Sequence, residues 1–317
     1  MSSRSVARND GQMVEAAHEG GRFMRGFAAA VAVALALAAC SSGDTDGGGG
    51  RTQVGTRATI SHIHGLGVDS AGTPYVATHF GLITAGEHGG WVYASADKND
   101  HMGFSLHPAD GIMYRSGHSP SRPSLGVESS SDGAQWTHLS DVANPPVDFH
   151  AMAVSLANSK TLWGWDSGGR GTFRSTDGGR NWTRLEAQGI ERQLYVLAGT
   201  AERNVVLAGT MTGLYRSSDG GATWQQIQGV SGGWVIAVAA DPKDANHILA
   251  FTERGMKSST DGGTSWTPSL GGISPGAQIT SLAISPADPN IAYAADASTI
   301  YKTSDGAKTW TVVPTAS

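Results

Sequence analysis

The chain has 317 residues, a formal net charge of −5 and only 15% charged residues. Recognition of DNA or RNA normally needs a concentrated basic face, so this charge balance argues against a nucleic-acid partner. Glycine is abundant, with 44 residues, as expected for many tight turns between short strands. The roughly 260 residues that follow the N-terminal region suffice for one closed all-β domain.

The N-terminal region has the features of a secretory signal. Residues 27–39 form an uncharged apolar run preceded by Arg22 and Arg25, and these match the hydrophobic and charged parts of a signal peptide. The run is too short for a comfortable membrane span. We therefore predict a signal peptide over residues 1–39 and an exported protein. Met24 is an alternative start that would give a leader of ordinary length.

The only cysteine, Cys40, follows directly in the sequence L-A-A-C, which resembles the lipobox of bacterial lipoproteins. The resemblance implies cleavage before Cys40, lipid attachment to its sulfur, and a protein held at the outer face of the plasma membrane by that anchor alone. The alternative is an incidental cysteine after an ordinary signal peptide. Residues 40–57 are rich in glycine and predict a flexible tether. The folded domain is expected over residues 58–317.

A short phrase then returns five times, as S-S-D-G-A-Q-W, S-T-D-G-G-R-N-W, S-S-D-G-G-A-T-W, S-T-D-G-G-T-S-W and T-S-D-G-A-K-T-W. Asp accepts hydrogen bonds from N–H groups just ahead of it and Gly allows positive φ, so the phrase predicts a turn. The intervals between aspartates are 45, 42, 42 and 44 residues, the period of one four-stranded propeller blade. These aspartates are Asp132, Asp177, Asp219, Asp261 and Asp305.

The phrase resembles the Asp-box, or BNR, repeat of sialidase-like, sortilin-like and photosystem-assembly-factor propellers. The resemblance covers residues 58–317. In those families the Asp box lies on the outer rim and is structural. The resemblance therefore implies that the five repeated aspartates hold turns and are not catalytic.

The segments between the phrases predict an all-β fold, a single β-propeller of six four-stranded blades. Each repeat has an apolar inner strand and a second strand before the phrase, and an outer strand after the Trp. Blade one lacks the aspartate but keeps Gly-Gly-Trp at 89–91. A seventh blade is the alternative, and residues 52–59 are a candidate strand for closing the ring. The predicted inner strands cover residues 62–68, 101–106, 149–154, 194–199, 235–240 and 279–284.

Histidine breaks the equivalence of the repeats. Nine of the eleven histidines lie between residues 62 and 150, in blades one to three. Several open an inner strand or end a second strand, and these positions meet at one mouth of the central channel. Because imidazole is a good ligand for copper and zinc, they predict a metal site. His62 and His64 are expected on the same face of a strand. The candidate ligands are His62, His64, His79, His101, His118 and His150.

Other side chains are predicted at the same mouth, with Asp100 and Trp165 as candidate ligand-binding residues. A sialidase would need three arginines on the substrate carboxylate, and only Arg115 and Arg254 are plausible contributors. Carboxylates there can pair as acid and base for glycoside hydrolysis. The candidate catalytic residues are Asp148, Asp166, Glu253 and Asp296.

These patterns favour a surface-anchored propeller that binds a metal ion, copper or zinc, or a small ligand at the histidine-rich mouth. The motifs H-I-H-G-L-G and D-F-H-A resemble those of secreted bacterial propeller lipoproteins grouped with sialidase-like glycosyl hydrolases. That resemblance implies the alternative of an exo-acting glycosidase that binds a glycan. A third hypothesis is a protein-binding assembly factor that uses the same face. A monomer is expected in each case.

Overall fold

The computed structural model describes residues 54–190 and 193–314. The predicted signal peptide, Cys40 and nearly all of the predicted tether lie outside these residues. Within the described ranges, no helix is long and apolar enough to span a membrane. The described chain is all-β apart from a 3₁₀ turn at Gln228–Val230.

Twenty-four strands form six antiparallel sheets of four strands, which confirms the prediction of a β-propeller with six blades. Blades one to three contain β1 (Ile63–Val68), β2 (Pro74–Thr78), β3 (Gly81–Ala85), β4 (Trp91–Tyr93), β5 (Asp100–Leu106), β6 (Met113–His118), β7 (Val127–Ser130), β8 (Thr137–Ser140), β9 (Phe149–Ser155), β10 (Asn158–Asp166), β11 (Gly171–Ser175) and β12 (Thr183–Arg184). Blades four to six contain β13 (Val196–Gly199), β14 (Val206–Gly209), β15 (Leu214–Ser217), β16 (Gln225–Gln226), β17 (Val235–Ala240), β18 (Ile248–Thr252), β19 (Gly255–Ser259), β20 (Thr267–Pro268), β21 (Ser281–Ile284), β22 (Ala292–Ala295), β23 (Ile300–Thr303) and β24 (Thr311–Val312).

Each blade is built from four strands that are consecutive in the chain and neighbours in the sheet. The first strand of every blade lines the central channel, which contains a cavity of about 140 Å³. These strands are rich in small and β-branched residues, which suit strands that are covered on both faces. Every inner strand lies within one or two residues of its predicted position.

The hydrophobic core is divided among the six interfaces between neighbouring blades. Each interface has one cluster of buried residues contributed by two adjacent blades. The Trp of each repeat packs into the cluster shared with the preceding blade: Trp224 of blade four, for example, lies with Trp163 of blade three. The repeated Trp therefore holds one blade to the next.

The ring closes through the same kind of contact. Ile63 and Trp91 of blade one share a cluster with Tyr293 and Ile300 of blade six. The N–H of Ile63 also donates to the carbonyl of Ala297 at 3.0 Å.

The N-terminal segment lies elsewhere than the sequence suggested. Arg57 pairs with Val92 in an antiparallel bridge, and the N–H of Gly55 donates to the carbonyl of Tyr93 at 2.8 Å. The segment thus extends the outer edge of blade one. It does not join blade six, whose four strands all come from the C-terminal repeat.

The five repeated turns share a hydrogen bond from a serine or threonine hydroxyl to the aspartate. In blade four the Ser217 hydroxyl donates to Asp219 at 2.8 Å and accepts from the N–H of Gly221 at 2.7 Å. Asp219 in turn accepts from the N–H of Thr223 at 2.9 Å, and Trp224 Nε1 donates to the Gly221 carbonyl at 3.0 Å. Gly221 has a φ of 95°, a conformation that favours glycine.

Candidate functional site

The ends of the strands in blades one to three bring the conspicuous histidines to one mouth of the channel. An antiparallel blade places the start of its inner strand beside the end of its second strand. In blade one Ile63 pairs with Thr78, next to His79, and in blade two Asp100 pairs with His118. The aspartate turns follow the third strands, so they lie on the opposite face of the propeller.

Bulges in the inner strands shape this mouth. In β1, Ile63 pairs with Thr78 and Gly65 with Ala77, so His64 is an extra residue in the ladder. In β9, His150 is extra in the same way. A bulge re-aims the side chain that it contains and is common next to functional sites. Both His64 and His150 line the central cavity.

Three side chains from two blades form the centre of the site. His64 Nε2 lies 3.3 Å from Asp100 Oδ1, and His79 Nδ1 lies 2.5 Å from Asp100 Oδ2. One ligand atom from each of these residues lies within 4.8 Å of the other two, a spacing at which they could hold one metal ion. His64 Nε2 and Asp100 Oδ1 are buried and make no hydrogen bond to any described residue.

The two histidines of this group differ in their electrostatics. Burial lowers the pKa of His64 to about 4, against the attraction of Asp100, so this ring is neutral at pH 7 and free to ligate. The hydrogen bond to Asp100 raises the pKa of His79. The Asp100 side chain that makes this bond is only 5% exposed.

A second group of polar side chains continues from the first toward blade three. His118 Nε2 lies 3.3 Å from Asp100 Oδ2, and His118 Nδ1 lies 3.3 Å from Asp148 Oδ2. His150 Nε2 lies 3.6 Å from the same Asp148 oxygen.

His62 is exposed with a φ of 43°, and it precedes β1 instead of sharing a strand face with His64. Its ring centroid lies 6.0 Å from that of His79.

His101 is not part of this cluster, although the sequence suggested it as a ligand. Its side chain is fully buried, and its Nε2 lies 2.6 Å from Arg115 Nη1. Burial and the charge of Arg115 lower the pKa of His101 to about 4. The bulge between Asp100 and Gly103 in β5 changes the alternation of side chains at this point.

Arg115, considered above as an arginine of the mouth, is instead the centre of a buried network. Its guanidinium donates to Asp97 at 2.8 Å and 2.9 Å and to Glu128 at 2.6 Å and 2.8 Å. It also lies 4.3 Å from the ring centre of Trp136. All five N–H donors of an arginine need partners when the side chain is buried. The sequence carried little signal for this buried network, because Asp97, Arg115 and Glu128 are far apart in the chain.

Three other predicted residues have local roles. Asp166 is buried and accepts from Arg170 Nε at 3.0 Å. Trp165 packs against the core shared by blades three and four. Asp296 accepts from the N–H of Thr299 at 2.7 Å and so caps its own turn.

Glu253 lies in a separate cavity of about 380 Å³ in blade five and the segment that leads to blade six. The cavity is lined by the rings of Trp234 and Phe251, whose centroids are 6.0 Å apart. Glu253 and Arg254 are exposed at its edge. The sequence did not single out Trp234, although a Gly-Gly-Trp before a buried strand is visible at 232–234.

No protein family model and no curated protein sequence matches this chain. Solved structures do match. A GH74 enzyme from Niastella koreensis superposes with a TM-score of 0.55 at 16% identity, covering 81% of this chain and 55% of that one. A structural genomics protein of unknown function from Bacteroides thetaiotaomicron gives 0.62 at 10% identity, with 84% and 72% coverage. YCF48 from Cyanidioschyzon merolae gives 0.50 at 13% identity, with 79% and 97% coverage.

The fold and these similarities define the protein as a β-propeller with a histidine- and aspartate-rich channel mouth. The identities are too low to indicate more than a shared fold. The chain spans about half the length of the GH74 enzymes that it matches, 55% in two cases.

Proposed function

We propose that this protein binds a copper or zinc ion at the channel mouth, with His64, His79 and Asp100 as ligands. The carrying observation is that ligand atoms from these three residues lie within 4.8 Å of one another. Two imidazoles and one carboxylate suit zinc or copper better than magnesium or calcium, which prefer oxygen ligands.

The unpartnered atoms of the cluster support this proposal. Buried polar atoms are nearly always hydrogen-bonded, and exceptions need an explanation such as an ion. Within the described residues, His64 Nε2 and Asp100 Oδ1 lack hydrogen-bond partners and face each other at 3.3 Å. Two ligand atoms that each lie about 2.0–2.2 Å from a tetrahedral ion are separated by roughly 3.3–3.6 Å, and the distance between His64 Nε2 and Asp100 Oδ1 falls in this range.

The test is a titration of the purified protein with copper sulfate or zinc chloride, in which calorimetry measures the affinity for the metal. His64→Ala and Asp100→Asn should weaken binding by at least roughly 10–100-fold, the range seen even for losses outside the ligand shell. His138→Ala is the matched control, because His138 is exposed on an outer strand and bonds the Leu125 carbonyl. Equal affinity in all four proteins would overturn the proposal.

A second candidate function, glycoside hydrolysis, is favoured by the cavity that contains Glu253. Cavities of about 300–1,000 Å³ with aromatic walls and a few polar groups are typical ligand sites, and this one measures about 380 Å³ with Trp234 in its wall. The fold is shared with enzymes that include a GH74 xyloglucanase from Xanthomonas campestris, at 16% identity. Asp148, Asp166 and Asp296 make their described contacts outside this cavity, so Glu253 is the favoured acid or base.

This candidate predicts turnover of a glycan. Xyloglucan and a panel of synthetic glycosides would be incubated with the protein and with Glu253→Gln, and the released sugar would be measured. Activity that is lost in Glu253→Gln supports hydrolysis at this cavity. Inactivity across the panel contradicts it.

Surface anchoring through Cys40 is a separate proposal that rests on the L-A-A-C sequence after an apolar run. In an expressing cell, the protein is expected in the membrane fraction and Cys40→Ser in the medium. Recovery of both in the medium would contradict a lipid anchor.

A further inference from the structure

His118 lies outside the candidate metal site but contacts its central ligand. The carboxylate of Asp100 has three histidine neighbours: Oδ1 lies 3.3 Å from His64 Nε2, and Oδ2 lies 2.5 Å from His79 Nδ1 and 3.3 Å from His118 Nε2. Among the described residues, only His64 and His79 form with Asp100 a group whose ligand atoms all lie within 4.8 Å of one another. The contact of His118 with Asp100 therefore points to a role other than that of a ligand.

The backbone places His118 opposite Asp100. The two residues pair across β5 and β6, where a bulge lies between Asp100 and Gly103. Gly117 has a φ of 154°, and a Cβ at this position would overlap the carbonyl oxygen of Asp100. Glycine at 117 therefore allows the end of β6 to approach Asp100 closely enough for the His118 ring to reach its side chain.

Asp148 holds the His118 ring from the other side. His118 Nδ1 and Asp148 Oδ2 are hydrogen-bonded at 3.3 Å. Asp148 immediately precedes β9, so this bond ties the end of β6 in blade two to the start of blade three. A hydrogen bond at one nitrogen of an imidazole fixes the orientation of the ring, and with it the direction of the other nitrogen. Here the other nitrogen, Nε2, faces Asp100 Oδ2.

The two oxygens of Asp100 have different surroundings. Oδ1 is buried, faces His64 Nε2 and has no hydrogen-bond partner among the described residues, so it is available to an ion. Oδ2 is the oxygen that His118 contacts. Carboxylates that bind a metal are themselves held by neighbouring polar groups, and the loss of such a group typically weakens metal binding by roughly 10–100-fold.

We infer that His118 is a positioning residue of the proposed metal site. This inference rests on the proposed metal-binding function. His118 Nε2 holds Asp100 Oδ2, so that Oδ1 stays directed toward the ion that Asp100 shares with His64 and His79. Asp148 acts only through His118, because it fixes the orientation of the His118 ring.

The experiment measures the affinity of the purified protein for zinc chloride by calorimetry. His118→Leu should bind one ion roughly 10–100-fold more weakly than the wild type. His118→Gln keeps an N–H donor and should recover part of this loss, and a His118→Gln as weak as His118→Leu would contradict a role through that donor. His138→Leu is the matched control, since His138 is also 39% exposed and also contacts an aspartate, Asp141, beyond the outer strand β8. It should bind zinc like the wild type.

A double-mutant cycle tests whether Asp148 acts through His118. Asp148→Ala should weaken zinc binding, but adding it to His118→Leu should cause no further loss, because the ring that Asp148 orients is already absent. Losses that add in the double variant would contradict this link.

Electron paramagnetic resonance of the copper-loaded proteins gives a readout that a purely structural role would not change. The hyperfine splitting of His118→Leu should differ from that of the wild type and of His138→Leu, because the Asp100 carboxylate is no longer held in place. Identical spectra in the three proteins would contradict the positioning role. A thermal unfolding curve for each variant checks that it is folded.

The outcomes separate this inference from the function on which it rests. A wild type that binds no copper or zinc overturns both. Equal zinc affinity in the wild type and His118→Leu overturns the role of His118 and leaves the metal site standing. A folded His118→Leu that binds no zinc would make His118 itself a ligand and would also overturn the positioning role.

Discussion

At the scale of single residues, the repeated turn depends on a buried hydroxyl. Ser217 is completely buried, donates to Asp219 and accepts from the N–H of Gly221. Ser217→Ala leaves that N–H without a partner, which costs about 1–3 kcal/mol. Chemical denaturation should show this loss in the free energy of unfolding. The exposed Ser231→Ala should change it by less than about 0.5 kcal/mol, and equal effects of the two changes would contradict the role of Ser217.

The aspartate of the turn gives stability that depends on pH. The hydroxyl and N–H of Thr223 hold Asp219 in its ionised form and lower its pKa to about 2. Because the folded pKa lies below the unfolded value, this stabilisation is present above about pH 4 and is lost as the pH falls toward 2. Asp219→Asn should therefore be less stable than the wild type at pH 6, with a gap that shrinks by pH 2. A gap of constant size from pH 6 to pH 2 would show that ionisation is irrelevant.

The residue scale also explains why the turns at the five repeated aspartates stand out in the sequence. All bonds of Asp219 and Asp261 run to groups within four residues, so the sequence contains the whole structural unit. His101 and Arg115 are different. Their partners lie up to 18 residues away, and no local pattern shows whether a strand-end histidine faces the channel or the blade interface.

At the scale of the blade, the network around Arg115 ties the segment before blade two to its second and third strands. Arg115 is 1% exposed and Glu128 is 7% exposed. Burial opposes ionisation of Asp97, but the hydrogen bonds from Arg115 and the charge of Arg115 outweigh it and hold the pKa of Asp97 below its usual range. The network is therefore a fixed set of charges next to the mouth strand β5.

This network predicts that removing one partner of the buried ion pair costs more stability than replacing both partners. Arg115→Met leaves Glu128 as an uncompensated buried charge and should cost about 3–5 kcal/mol in the free energy of unfolding. The double change Arg115→Met with Glu128→Leu should recover part of the loss, since an apolar pair of similar volume often replaces a buried ion pair well. A double variant less stable than Arg115→Met would contradict this account.

The strands themselves were predictable, but the bulges inside them were not. Inner strands are short runs of apolar and small residues bounded by turn signals, and their fixed place in each repeat reveals them. A bulge adds one residue to one strand without changing composition. The sequence therefore placed His64 at the mouth correctly but wrongly aligned it with His62 on one strand face, since His62 precedes β1 with a φ of 43°.

At the scale of the whole molecule, the ring is a repeat of one interface. Trp224, Trp266 and Trp310 each pack into the cluster shared with the preceding blade, and Trp91 does the same across the closure between blades six and one. Because this interface is present at every junction, the ring closes without a strand shared between blade six and blade one. The Gly-Gly-Trp at 89–91 is visible in the sequence, whereas the partners of Trp91, Tyr293 and Ile300, lie about 200 residues away and were not predictable from local patterns.

The proposed metal site crosses blade boundaries and should therefore stabilise the ring. His64 and His79 belong to the loops and strands of blade one, and Asp100 opens blade two. An ion that binds only the folded state at 100 times its Kd adds about 2.7 kcal/mol. For a domain of this size each kcal/mol raises Tm by roughly 2–4 °C, so zinc should raise Tm by about 5–10 °C. Scanning calorimetry with zinc chloride and with EDTA measures the difference.

Two variants decide where that stabilisation arises. Asp100→Asn weakens the central ligand and should lose most of the zinc-dependent rise in Tm. Glu253→Gln lies in the other cavity and should keep it. Because the Asp100 carboxylate contacts histidines from two blades and is buried, its loss removes the one group that both sides of this boundary share. A zinc-dependent rise that is unchanged in Asp100→Asn would place the ion away from the mouth.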